Sequence, residues 1–244
     1  MKDLKKVKYL ILDMDGCVYH PKYLKKLFIQ VSNRMTEFIA LKLKIDKVKA
    51  KEIQADYFYK YDTSLRGLME NYPKIIDPKE FLSYCHNINY DCLEKDIELR
   101  EELLKLDVKA YCATNGSKEH ALNCMRRIEI DDLFEGKIMD IVDFNFKPKP
   151  NPDSLRLMCK KFQIPANEET VYIEDICKNL SSETAKNMIK VWFSNDEPIN
   201  DIDKYLCAAD EVFSIMSSAI QSGTVKSLLE TRPRSDAFVR LTKS

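Results

Sequence analysis

A chain of 244 residues, 45% of them hydrophobic, can bury one sizeable core and carry an insertion besides. Its 39 Lys and Arg balance 39 Asp and Glu, so no net field draws it to nucleic acid or to an anionic membrane. No apolar run approaches the ~20 residues that span a bilayer, and the opening Met1-Lys2-Asp3-Leu4-Lys5-Lys6 holds no apolar signal core, so a cytoplasmic protein is expected.

The first predicted element is a continuous apolar strand over residues 7–12, the pattern of a strand covered on both faces. Helical patterns follow at 24–43, 47–61, 63–70 and 78–86, with no convincing strand among them. The next strand pattern begins only at 108, about a hundred residues after the first, where a crossover helix needs roughly ten to twenty. Residues 20–95 are therefore read as a helical cap, with Tyr57, Phe58, Tyr59 and Tyr61 expected in its core and the lysines of 42–51 on a solvated face.

Beyond the cap, strands at 108–113, 170–173 and 189–193 alternate with helices at 118–127, 152–162 and 179–188. That alternation predicts an α/β fold, a doubly wound parallel sheet, made of residues 1–19 and 96–230 with a loosely held tail over 231–244. Eight cysteines lack any Cys-x-x-Cys pair and accompany three histidines, which argues against structural zinc and for reduced thiols used as small apolar side chains. The five glycines are not at dinucleotide-loop spacing, so no glycine-rich nucleotide-cofactor loop is expected.

Chemistry gathers at the strand ends. Leu10-Ile11-Leu12-Asp13-Met14-Asp15-Gly16 places two carboxylates one residue apart where the first strand stops, an arrangement suited to metal-assisted phosphate chemistry. After the second strand, Thr114-Asn115-Gly116 offers a hydroxyl and backbone amides beside a helix start, where phosphate oxygens bind; Thr114 could equally cap that helix. Phe146-Lys147-Pro148-Lys149-Pro150-Asn151-Pro152 is a proline-stiffened loop carrying lysine into the next helix, with Pro152 suited to a first helical turn. Glu174 and Asp175 close the third strand and could complete a shell of oxygen ligands for magnesium, or cap the element that follows.

In that order the four pieces resemble the haloacid dehalogenase (HAD) superfamily of phosphotransferases. The resemblance implies a HAD-like Rossmannoid core and an aspartyl-phosphate mechanism. Asp13 falls at the nucleophile, Asp15 at the general acid/base, Thr114 at the phosphate-binding threonine and Lys149 at the lysine. Glu174 and Asp175 fall at the acidic pair that, with Asp13 and the carbonyl of Asp15, holds Mg2+. Gly16 and Asn115 would supply amides to the phosphate. Lys149-Pro150-Asn151-Pro152 mirrors the family's Lys-Pro-x-Pro, with Lys147 the other candidate. Cys17 stands where the family usually has Thr or Val.

A cap between the first and second motifs is of the family's first type. Tyr61-Asp62-Thr63-Ser64-Leu65-Arg66-Gly67-Leu68 and Thr114-Asn115-Gly116-Ser117-Lys118-Glu119-His120-Ala121 are similar to the pyrimidine 5′-nucleotidase-like group. The expected function is hydrolysis of a small phosphomonoester, a pyrimidine nucleoside 5′-monophosphate such as UMP or CMP, with Arg66 contacting phosphate or ribose. A phosphosugar phosphatase or mutase is the alternative enzyme, and a non-catalytic binding protein the alternative class. His20 and His86 are read as ordinary surface or cap residues.

Overall fold

The apolar segments form the centre of one sheet. A computed structural model describes residues 6–19 and 21–192. Its strands are β1 (Tyr9–Leu12), β2 (Lys109–Ala113), β3 (Ile138–Met139), β4 (Thr170–Glu174) and β5 (Ile189–Trp192). All pair in parallel in the order β3-β2-β1-β4-β5. The chain winds outward from β1 to β3, then returns to lay β4 and β5 on the other side, so the winding reverses at β1 and a crevice opens at its carboxyl end. The ladder starts at Tyr9 rather than residue 7, because the Lys8 and Tyr9 amides both turn to the Glu169 carbonyl (2.9 and 3.1 Å).

Among the described residues seven α-helices accompany the sheet: α1 (Leu24–Leu43), α2 (Lys47–Tyr61), α3 (Ser64–Asn71), α4 (Pro78–Cys85), α5 (Ile97–Lys105), α6 (Lys118–Ile128) and α7 (Pro152–Phe162). The first four are the expected cap helices, their starts set by side-chain caps where the sequence supplies them: Asp46 accepts from the Lys49 amide, Thr63 from Arg66 and Asp77 from Lys79 and Glu80. None of the described helices is long and apolar enough to cross a membrane. Among the described residues no disulfide joins the seven cysteines, and five of them are buried. His20 and residues 193–244 lie outside the described residues, and with them Phe193 at the end of the fourth expected strand, Cys207, the rest of the expected core to 230 and the tail over 231–244.

Three expectations change. The helix expected over 179–188 is instead two short 3₁₀ turns, Cys177–Ser181 and Glu183–Ala185. Two of its three hydroxyls bond backbone carbonyls in place of a continuing helix: Ser181 Oγ donates to Lys178 O and Thr184 Oγ1 to Pro152 O, 2.7 and 2.8 Å. β3 is two residues long, below what a sequence pattern reveals. Of the aromatic group on α2, Tyr57 and Tyr61 are partly buried and meet edge to face (5.5 Å), while Phe58 and Tyr59 are exposed. α2 is amphipathic through few residues, burying only Ala50 and Gln54, so four neighbouring aromatics cannot share one inward stripe.

Among the described residues the buried apolar side chains fall into two clusters. One fills both faces of the sheet, and the other, built on Phe38, Ile39, Leu65, Leu68, Phe81 and Leu82, is the cap's own core. Ile141, from the loop after β3, joins the cap cluster. Where α2 meets α3, Gly67 lies so close to Tyr57 that an added Cβ would fall 2.5 Å from the Tyr57 Cβ and Cγ. Gly67→Ala is therefore expected to destabilise the cap by about 1–3 kcal/mol, read as a lower midpoint of thermal unfolding. An unchanged midpoint would mean that α2 and α3 do not pack this closely.

Candidate functional site

Parallel register brings three strand ends level. Leu12 lies opposite Cys112 on one side and Ile173 on the other, so Asp13 emerges beside Ala113 and Glu174. The Lys149 ammonium ties the three together. Its Nζ donates to Asp13 Oδ1 (2.5 Å), Ala113 O (2.5 Å) and Glu174 Oε1 (2.6 Å), using all three protons at a position 1% exposed. Burial alone would lower the lysine's pKa, but the charges of Asp13 and Glu174 outweigh it and the pKa is raised.

A reciprocal amide clamp carries the lysine there. Asn115 Oδ1 accepts from the Lys149 backbone N–H (2.8 Å) and its Nδ2 donates to the Lys149 carbonyl (3.1 Å). The Lys149–Pro150 peptide is cis, and Asn151 caps α7 by accepting from the Asp153 amide. Lys147 points elsewhere, pairing with Asp153 at the surface (2.6 Å). Thr114 is 1% exposed and its Oγ1 accepts from the Gly116 amide (2.9 Å), closing the turn before α6. Gly16 turns the chain after Asp15 with φ of 77°, a left-handed conformation that suits glycine.

Asp13, Asp175 and Cys17 offer ligand atoms within 4.8 Å of one another. Burial first, then the charge of Glu174, pushes the Asp13 carboxyl up to about 7, against the pull of Lys149. Asp175 is raised well above the usual carboxylate range by burial and by Asp13. Glu174 is fully buried; Oε1 accepts from Lys149, Tyr172 Oη (2.8 Å) and Asn179 Nδ2 (3.1 Å), while Oε2 has no partner among the described residues.

Asp15 lies apart from that group. Its Oδ1 accepts from Tyr19 Oη (2.7 Å) and His120 Nε2 (2.9 Å). Tyr90 gives its one proton to the His86 carbonyl (2.8 Å), so at its 3.0 Å contact with His120 Nδ1 the ring N–H is the donor and the imidazole carries both protons. Burial lowers the His120 pKa, yet the charge of Asp15 carries it well above the usual value. In the same way burial raises Asp15, and His120 and Tyr19 more than offset it, leaving the carboxyl below its ordinary range. His86 stacks on His120 (4.6 Å, 22°) and is held near 3 by burial and by that cation, hence neutral.

A family model described as haloacid dehalogenase-like hydrolase matches residues 7–182. The chain belongs to that family. Among curated relatives, Phosphate metabolism protein 8 of Saccharomyces cerevisiae is 30% identical over 141 residues, covering 53% of this chain and 42% of the relative. Glyceraldehyde 3-phosphate phosphatase of Pyrococcus furiosus is 27% identical over 147 residues, covering 59% of this chain and 60% of that protein. The matches thus span about two fifths and three fifths of those relatives' lengths. The fold is shared with a HAD hydrolase, family IA, variant 3, from Entamoeba histolytica (TM-score 0.53, 17% identity, 81% of this chain and 88% of that one). It is also shared with a HAD family hydrolase from Deinococcus radiodurans solved with phosphate and sodium (TM-score 0.51, 16% identity, 91% and 98%).

Against the haloacid dehalogenase-like pattern, the sequence-derived residues sort into three groups. Asp13, Lys149, Glu174 and Asp175 converge on one buried cluster, with Thr114 on the strand end beside it. The Asn115 side chain is committed to the Lys149 backbone, so it positions the lysine rather than facing a ligand. Arg66 pairs with Glu70 one turn along α3 (3.0 Å) and makes no ion pair or hydrogen bond with the other site residues. Sequence reasoning missed Tyr19 and His120, and His86 is no ordinary cap residue, since it lies against His120. Tyr19 is one turn beyond Asp15, and His120 sits in the first turn of the helix that follows Thr114.

A divalent cation suits the donors present. Asp13 and Asp175 are hard oxygen ligands set close together, and the partnerless Glu174 Oε2 leaves a further buried acceptor nearby. Cys17 does not join them as a ligand, because burial and the neighbouring carboxylates hold its thiol protonated.

Proposed function

We propose that this chain is a Mg2+-dependent phosphomonoester hydrolase that works through an aspartyl-phosphate on Asp13. The supporting observation is the Lys149 ammonium bound at once to Asp13, Glu174 and the Ala113 carbonyl, a fixed positive charge beside a carboxylate at the sheet's crevice. Asp13 attacks phosphorus and the P–O ester bond breaks as Asp15, in the fraction of chains that carries a proton on Oδ2, gives that proton to the leaving oxygen. Asp15 then takes a proton from water, whose oxygen attacks the same phosphorus; phosphate leaves and Asp13 is restored. Lys149 offsets negative charge on the phosphoryl oxygens, and Thr114 and the amides near Gly16 and Asn115 hold them. Mg2+, held by Asp13, Asp175 and the Asp15 carbonyl with Glu174 nearby, would supply charge neutralisation for a dianion entering a carboxylate cluster.

The proposed substrates are pyrimidine nucleoside 5′-monophosphates, UMP and CMP, selected by the cap formed within residues 20–95. The support is the likeness of the segments at Tyr61 to Leu68 and Thr114 to Ala121 to the pyrimidine nucleotidase group. A phosphosugar phosphatase is the second reading, favoured by the name of the Pyrococcus relative. A phosphate-release panel of UMP, CMP, AMP, GMP, glyceraldehyde 3-phosphate, other sugar phosphates and phosphoglycolate decides between them. UMP and CMP are expected to lead, with activity abolished by EDTA and restored by Mg2+. A lead by a sugar phosphate overturns the nucleotide assignment, full activity in EDTA the metal site, and silence across the panel the enzymatic reading.

A further inference from the structure

Asp15 is gripped by one oxygen only. Tyr19 Oη and His120 Nε2 both donate to Oδ1, and among the described residues no hydrogen bond reaches Oδ2. The two donors arrive from different elements, Tyr19 from the turn after β1 and His120 from α6, and both are buried at 0% and 2% exposure. A carboxylate that must pass a proton needs one oxygen with a lone pair to spare, and two donors on its other oxygen leave it that.

The grip is itself immobilised. His120 Nδ1 is tied to Tyr90 Oη (3.0 Å), the His86 ring lies flat against it, and its backbone N–H donates to Ser117 Oγ at the α6 cap (3.2 Å). Ser117 Oγ also meets His86 Nδ1 (2.8 Å), so the stacked ring is anchored to the same cap. Three side chains thus hold His120 in a helix's first turn, two of them at its ring and one at its backbone.

We infer that His120, with Tyr19, is a positioning residue that locks the Asp15 side chain and reserves Oδ2 for proton transfer to the ester oxygen. This rests on the reading of Asp15 as general acid/base. His120 touches neither substrate nor phosphorus; it acts through Asp15.

Leaving groups separate positioning from mere packing. An alkoxide cannot depart without a proton, whereas 4-nitrophenolate can, and kcat/KM reads the reaction only as far as leaving-group release. His120→Leu keeps bulk and removes the donor. It is expected to lower kcat/KM for a primary-alcohol phosphate such as UMP about tenfold more than for 4-nitrophenyl phosphate. His120→Gln, whose amide N–H can reach Oδ1, recovers most of that loss, and Tyr19→Phe, which removes one hydroxyl, reproduces the selective loss if His120→Leu does not fold. Equal losses on both esters, or a Gln variant no better than Leu, overturn the inference while leaving the phosphatase reading intact. An unmodified chain that cleaves neither ester overturns that reading itself.

Discussion

Asp13→Asn yields a folded chain whose phosphate release falls by on the order of 10⁴-fold or more. The amide has no charge with which to attack phosphorus, so the first covalent step is lost rather than slowed. Folding survives for a reason visible in the site: asparagine keeps the shape and an acceptor oxygen for Lys149, and Lys149 keeps Glu174 and the Ala113 carbonyl as partners. One negative charge also leaves a cluster in which Glu174 and Asp175 crowd Asp13. Thermal melting should therefore show a midpoint equal to or above that of the unmodified chain. Turnover like the unmodified chain's would place the nucleophile elsewhere.

Lys149→Met removes activity and stability together, which Asp13→Asn does not. Without the ammonium, Asp13 and Glu174 face each other at 7% and 0% exposure with no cation between them. Removing one partner of a buried ion pair costs about 3–5 kcal/mol, because the remaining charge stays out of water. In a chain of this length that lowers the unfolding midpoint by roughly 10 °C. Adding Glu174→Gln to Lys149→Met should return part of the stability and none of the turnover. Lys147→Met is the control: its pair with Asp153 is solvated, and such pairs contribute about 0–1 kcal/mol. Equal effects at the two lysines would refute the assignment of Lys149 to the site.

Much of this could be read from residues in a row. The β1 run and the polar residues at each strand end are local features, and register alone then brings Asp13 level with Ala113 and Glu174. The cap helices were legible because α2, α3 and α4 start at capping side chains and α1 buries Leu27, Val31, Phe38 and Ile39 at helical spacing. What escaped depends on contacts across the chain. The link between Asp15 and His120 joins residues 105 apart in sequence, and a histidine in a helix's first turn looks no different when it faces water. The Asn115 side chain clamps the backbone of Lys149, 34 residues on, a contact that its neighbours in sequence do not reveal. The segment after Asp175 misled because its apolar spacing is helical while the hydroxyls of Ser181 and Thr184 bond carbonyls.

The central place of β1 also sets an order of assembly on the ribosome. Its neighbours are β2 and β4, and β2 alone follows by ~100 residues, a wait of roughly 5–20 s at ordinary rates of synthesis. The helices α1 to α4 are contiguous and joined by short turns, so they emerge and can pack within that interval. Lys149 is made later still. Asp13, so deeply enclosed at the end, therefore spends the making of the chain as an ordinary hydrated carboxylate, and its reactivity arrives only when the last of its companions has docked.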